Sequence, residues 1–340
     1  MRCIRALSWG CLLAGLLVAG RSFPALGATL EEQLDIRPYN ATQGQARDVA
    51  DQWLTVGQQQ ADAAQGERAI AAWQNAVEIY HALGDTVAEG LAYDRIGLTY
   101  IELGQYDQAE SVLRRRLAIA RDNENLPGVV SGLNNVGTLL LRKEQIREAK
   151  AAFEEGYQVA SSIPSASGMG LSLSNLALVA VLENDLQTAA TYYEAATNYR
   201  FRSSDSLGEA NSSNSLGDVY RALNRTREAF GAYGVALDIG EELNNRALQL
   251  RAIDGFLAIY LEQESWRDVQ EYLNKRAALT LTGPADIQTL RTLVWLGEYY
   301  EGTGDIETAK ETYQQALDLS RTIGAKPQEV SLTNRLIELR

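Results

Sequence analysis

The chain has 340 residues, 46% hydrophobic and 22% charged, with 44 acidic side chains against 31 basic ones and a formal net charge of −13. That composition is ordinary for a globular chain, and its acidity argues against a nucleic-acid binder while favouring cationic partners or metal ions. Two cysteines and a single histidine leave no ligand set for the usual zinc sites.

At the start, Arg2 and Arg5 precede an apolar stretch from Ala6 to Gly20, a small-residue site follows at Ala25-Leu26-Gly27, and the first acid is Glu31. This order predicts a secretory signal peptide over residues 1–27, cut near Gly27 or Ala28, and so an exported protein of the periplasm or an equivalent compartment. The alternative is an uncleaved anchor, for which the apolar stretch is short. Cys3 and Cys11 both lie within the signal, so the mature chain would rely on its core rather than on disulfides. It would keep 44 acids against 28 bases, a net charge near −16. Residues 28–42 read as an N-terminal extension.

From residue 43 to residue 326 the sequence repeats every forty positions. Gly57, Gly97, Gly137, Ala177, Gly217, Leu257 and Gly297 form one column. Twelve residues on stand Ala69, Ala109, Ala149, Ala189, Ala229, Val269 and Ala309. Four beyond those come Trp73, Leu113, Phe153, Tyr193, Tyr233, Leu273 and Tyr313, and three further Ala76, Arg116, Gly156, Ala196, Ala236, Arg276 and Ala316. Small residues let two helices approach closely, and the large residue one turn later is expected to fill the space between repeats. "ELGQYDQ", "EGTGDIE" and "RALNRTRE" supply a Gly or Asn able to end a helix in the left-handed conformation. Pro127, Pro164, Pro284 and Pro327 fall between repeats, where proline is tolerated. Residues 327–340, "PQEVSLTNRLIELR" with its preceding lysine excluded, read as a capping helix, polar outside and apolar inside.

With Tyr100, Tyr220, Tyr260 and Tyr300 three residues after the first small position, these columns resemble the tetratricopeptide repeat (TPR) family. The forty-residue period is similar to the longer repeats of kinesin light chains. Copy six departs most, with Leu257, Val269 and Arg276 at small positions, and Arg116 departs in copy two. The resemblance implies an all-α, right-handed superhelical solenoid of seven helix hairpins plus the cap. It also implies a concave groove lined by the first helix of each hairpin, which holds an extended segment of a partner protein.

Carried onto that groove, the repeat positions give a polar track of Asn134, Asn135, Ser174, Asn175, Asn214 and Ser215. Asparagine is a poor helix former, and its amide can pair with a peptide backbone whatever the side chains; the alternative is that each amide bonds a neighbouring helix and sets the stacking. Around the track, Arg221, Arg251 and Arg291 are placed to receive a carboxylate, for instance a partner's C-terminus. Asp218, Asp254, Glu298 and Glu301, with Asp94, are candidates for basic side chains or weak divalent-cation binding, or else for salt bridges across repeats. The run Arg114–Arg116 is expected on the outer surface, and His81 at the surface. No phosphate-cradling glycine loop, calcium loop or serine elbow occurs, and the chain reads as a non-enzyme without cofactor. An exported chain made of such repeats is also similar to the cyanobacterial processing-associated TPR proteins. That likeness implies a role in photosystem II assembly, with the C-terminal part of the D1 subunit as partner and manganese as cargo. Two other readings stand beside it: a structural scaffold of an envelope or polysaccharide-export complex, and a divalent-metal carrier.

Overall fold

The computed structural model describes residues 44–339. The expected signal peptide and N-terminal extension lie outside the described residues. Within them every regular element is a helix. They pair as α1 (Gln45–Asp62) with α2 (Gly66–Leu83), α3 (Thr86–Glu102) with α4 (Tyr106–Asp122), and α5 (Leu126–Arg142) with α6 (Ile146–Ser162). Next come α7 (Ala166–Leu182) with α8 (Leu186–Arg202), α9 (Ser206–Ala222) with α10 (Thr226–Glu242), and α11 (Arg246–Glu262) with α12 (Trp266–Thr280). The last pair is α13 (Ile287–Gly302) with α14 (Ile306–Thr322), followed by α15 (Lys326–Glu338). The fold is thus an all-α solenoid of seven hairpins and a terminal cap. Contacts gather the described residues into two units, 44–252 and 253–339, with the division inside α11.

Twenty-residue punctuation makes this regularity. Nearly every connection is three residues long, and its middle residue turns left-handed: Gly104 at φ 72°, Asn184 at 60°, Asn224 at 57°, Gly304 at 86°. The turn returns two N–H groups to the helix just ended, as Gln105 N to Tyr100 O (2.8 Å) and Gly104 N to Ile101 O (3.0 Å), so carbonyls otherwise orphaned at the helix end are satisfied. Glu144 (φ 60°) and Glu264 (φ 52°) adopt the same conformation without glycine's freedom. There the two bonds offset a left-handed penalty of about 1 kcal/mol. Each following first helix is capped from the side chain before it. Asp85, Asn125, Ser165 and Asp205 accept from Ala88, Gly128, Gly168 and Gly208 N–H groups at 2.9–3.2 Å, each worth about 1 kcal/mol.

Hairpins close around the first column. A Cβ on Gly217 would stand 2.5 Å from the Tyr233 ring, and Gly57, Gly97, Gly137 and Gly297 are covered in the same way by Trp73, Leu113, Phe153 and Tyr313. These large residues are at most 2% exposed, and burying one such side chain is worth roughly 1.5–3 kcal/mol. Each sits on the glycine of its own hairpin, sixteen residues back, rather than only between repeats as the sequence suggested. In the unit 44–252, one core links Leu98, Leu113, Leu133, Phe153, Leu173 and Val179. In the unit 253–339, Leu332 of α15 closes on Leu290, Tyr313 and Leu317. The outer face of α15 is less polar than its sequence suggested, since Val330 (62%) and Ile337 (57%) are exposed. No helix among the described residues is long and apolar enough to cross a membrane.

Candidate functional site

The asparagines of the first helices are interior. Asn134, Asn135, Asn175 and Asn214 are at most 1% exposed and Ser174 and Ser215 5%. Asn135 Nδ2 donates to Asp94 Oδ1 (2.7 Å), Asn175 Nδ2 to Asn134 Oδ1 (2.9 Å) and Asn134 Nδ2 to Ser172 Oγ (2.9 Å). The Ser174 and Ser212 hydroxyls share a bond of 2.9 Å. One rule generates these pairs. The residue three before the first-column position bonds the residues two and five before it in the next copy. The expectation that Asn134, Asn135, Ser174 and Asn175 offer their polar atoms to a partner is corrected: a tight solenoid brings successive first helices into contact, and the amides join them.

Departures from the small column belong to the same spine. Arg116, expected outside, is 3% exposed and its Nε donates to Asp94 Oδ2 at 2.9 Å. Burial pushes the Asp94 carboxyl up, against the pull of Arg116 and Asn135. In the other unit Arg276, fully buried, donates through Nε to Asp254 Oδ1 (2.7 Å) and through Nη1 to the Gln288 carbonyl (2.8 Å). An Asp three before the first column therefore accompanies an Arg nineteen after it in copies two and six, and that pairing was present in the sequence to be found. Arg114, by contrast, is exposed as expected, and His81 is 70% exposed.

Asn214 differs from its equivalents. Both its amide atoms are buried without a hydrogen-bond partner, as is Nδ2 of Asn211 one turn earlier. The residues that the rule would pair with Asn214 are Ala252 and Gly255, which have no polar side chain. On the same face of α9, Asp218 accepts from the Tyr233 hydroxyl (2.6 Å) and lies 3.4 Å from Arg251 Nη2, which also donates to Ser215 Oγ (2.9 Å). The Asp218 and Arg251 side chains are 42% and 28% exposed. Burial and the Asp218 charge push the Tyr233 hydroxyl up, and Arg221 pulls the other way. Asn211, Asn214, Asp218 and Arg221, at spacings of three and four, thus form one stripe with Arg251 beside it.

In the unit 253–339, Arg291 is 53% exposed and bonds Asp254 at 3.2 Å. Glu301 is gripped by Arg335 through Nη2 (2.6 Å) and Nε (3.0 Å). Glu298 is pushed up to about 7, chiefly by burial, with Arg335 pulling it down. These acids face guanidinium groups. The weak metal candidates Asp218, Asp254, Glu298 and Glu301 do not assemble, and among the described residues no three His, Cys, Asp or Glu side chains could share an ion.

Sequence models of the tetratricopeptide repeat match residues 92–127, 172–242 and 290–323. Those segments are tetratricopeptide repeats. Such repeats are a scaffold module for protein–protein interaction, and the chain carries them. The chain is 26% identical over 196 residues to Tetratricopeptide repeat protein 29 of Trypanosoma brucei brucei (strain 927/4 GUTat10.1), covering 55% of this chain and 40% of that protein. Among solved structures it is similar to a signal transduction ATPase with numerous domains that carries a tetratricopeptide repeat sensor, from Pyrococcus horikoshii. There the TM-score is 0.61 at 16% identity, with 85% of this chain and 44% of that one covered. It is also similar to the Rap conjugation gene regulator of the plasmid pLS20 in complex with a Phr peptide, with a TM-score of 0.55 at 18% identity, covering 80% of this chain and 74% of that one. The chain thus spans less than half the length of the first two, and these likenesses concern the fold.

Proposed function

We propose that the protein is an adaptor that holds an extended segment of a partner polypeptide along the α9 stripe of Asn211, Asn214, Asp218 and Arg221, with Arg251 at its side. The observation that carries this reading is the stretched, part-exposed Asp218–Arg251 ion pair, the accessible part of a stripe whose Asn211 and Asn214 amides lie buried and unsatisfied behind it. A buried amide group left unpaired costs about 1–3 kcal/mol, and a peptide backbone brings both a donor and an acceptor at every residue. Charged groups of the segment, its terminal carboxylate included, exchange with the partners in the Asp218–Arg251 pair. The Rap regulator, of the same fold, is a protein seen with a peptide bound. The setting we propose is outside the cytoplasm, in assembly of a membrane or envelope complex such as photosystem II; its support is the signal-like order of residues 1–27.

A photo-reactive amino acid at position 251, compared with one at the outer residue Arg227 of α10, tests the site in cells that make the protein. A partner polypeptide should crosslink from 251 and be lost when Asn214→Leu and Asp218→Ala are added. Because the asparagine spine is internal, a passive structural scaffold is the second reading, and it requires the partner to crosslink from 227 and not from 251.

A further inference from the structure

Two hairpin junctions close with an ion pair built on one plan. His81 Nδ1 lies 3.1 Å from Glu89 Oε1, and Arg321 Nε lies 3.1 Å from Glu329 Oε1. In both, a nitrogen base, an imidazole at one junction and a guanidinium at the other, in the last turn of a second helix meets an acid eight residues later, in the first turn of the next helix. The forty-residue period puts positions 201 and 209 in these same two places. There the acid is kept as Glu209, but the nitrogen base is replaced by Phe201.

The consequences are visible between α8 and α9. Phe201 is 68% exposed, although the equivalent positions carry a guanidinium at Arg121 and Arg321 and an imidazole at His81. The Glu209 carboxyl is pushed up by burial and then by the charge of Asp205, with no cation acting on it. Asp205 itself is held by Arg200 at 3.1 Å. An open groove of about 340 Å³ lies at this point, lined by Glu194, Thr197, Asn198, Phe201, Glu209 and Leu216. Its volume falls in the range of ligand-sized pockets, roughly 300–1,000 Å³. Glu194 accepts from the Tyr220 hydroxyl through Oε1 (2.6 Å), which fixes a second carboxylate at the rim.

We propose that this groove is a docking pocket for an arginine side chain of a partner protein, whose guanidinium takes the place that Arg321 holds at the last junction. The guanidinium bonds the Glu209 carboxylate, for which its planar fork is the matching donor. Its flat face lies on the Phe201 ring, whose π-electrons attract a cation. Thr197 and Asn198 offer acceptors for the remaining N–H groups, and Leu216 packs against the stem. The chain's net charge of −13 brings cationic partners to this surface. The proposal is independent of the stripe of Asn211, Asn214, Asp218 and Arg221: it uses Glu209 and Leu216 of α9 together with α8, and a partner side chain rather than a backbone.

The test is a titration of the full-length, isotope-labelled protein with N-acetyl-arginine methylamide, followed by amide chemical shifts, beside the neutral isostere N-acetyl-citrulline methylamide. Shifts should saturate and be confined to amides around residues 194–216. Citrulline should bind at least about tenfold more weakly, because its neutral ureido group lacks the charge that strengthens the bonds to Glu209 and draws the group to the Phe201 ring. The isosteric Glu209→Gln should weaken arginine binding to the same degree, and Phe201→Arg should abolish it by supplying the chain's own cation, with the rest of the spectrum unchanged in both. Equal binding of the two probes, shifts away from the groove, or undiminished binding to Phe201→Arg would each overturn the proposal.

Discussion

Replacing Arg116 by alanine restores a small residue of the kind found in five other copies, as Ala76, Gly156, Ala196, Ala236 and Ala316, and should nevertheless destabilise the protein. Arg116 and Asp94 are 3% and 1% exposed and meet at 2.9 Å. Without the guanidinium, Asp94 keeps only the Asn135 amide at 2.7 Å. Removing one member of a buried ion pair costs about 3–5 kcal/mol, most of it the penalty for the charge left behind. The deficit should depend on pH with a definite sign. Burial already pushes the Asp94 carboxyl up, and loss of Arg116 pushes it further, so the folded variant binds a proton more tightly than the unfolded chain, whose carboxyl is ordinary. Protonation relieves the buried charge, and the deficit relative to the parent shrinks as pH falls from 8 towards 5. The double change Asp94→Leu with Arg116→Ala recreates the pair found in copy one, Leu54 with Ala76. It should return to within about 2 kcal/mol of the parent, the remainder being the unpaired Asn135 amide. Urea unfolding followed by far-ultraviolet circular dichroism measures all three variants. A single-variant deficit below about 1 kcal/mol, a deficit indifferent to pH, or a double variant no more stable than the single would refute the reasoning.

At the first column, Gly137→Ala would drive a methyl into the fully buried Phe153 ring and should cost about 1–3 kcal/mol. Gly231→Ala in α10, where nothing lies within 4 Å, should instead gain about 0.5–1 kcal/mol; thermal melts of the two distinguish packing from propensity. Glu298, raised to about 7, binds its proton more tightly in the folded state. Its contribution is present below the ordinary carboxylate value of about 4.3 and is lost as pH rises through about 7. Melting temperatures should therefore fall over that interval, and Glu298→Gln should remove that part of the fall; an unchanged slope would contradict it. For the N-terminus, mass spectrometry of the protein recovered from an exporting host should find the chain starting near Ala28 or Thr29, and an intact Met1 in the recovered protein would contradict export with cleavage.

The period and the helix count were legible in the residues, because each rests on local spacing repeated seven times; that the large residues seat on the glycine of their own hairpin was not. Turns were legible where Gly104, Asn224 or Gly304 stands in the left-handed position, and not at Glu144 or Glu264, where bonds from the turn impose the conformation. The asparagine track was legible as a line of positions, while its direction, toward a partner or toward a neighbouring helix, stayed open. Periodicity places Asn134 and Asn175 on one face of their helices and cannot tell whether that face meets solvent or the next helix. That depends on how closely successive hairpins stack, and only the tertiary structure shows an Asn175–Asn134 distance of 2.9 Å. The same stacking makes Arg116 an interior residue, and the two amide atoms of Asn214 stay buried without a hydrogen-bond partner. Sequence alone determined which residues recur; the distance between helices, set by the small side chains between them, decided which of those residues lie inside and which lie at the surface.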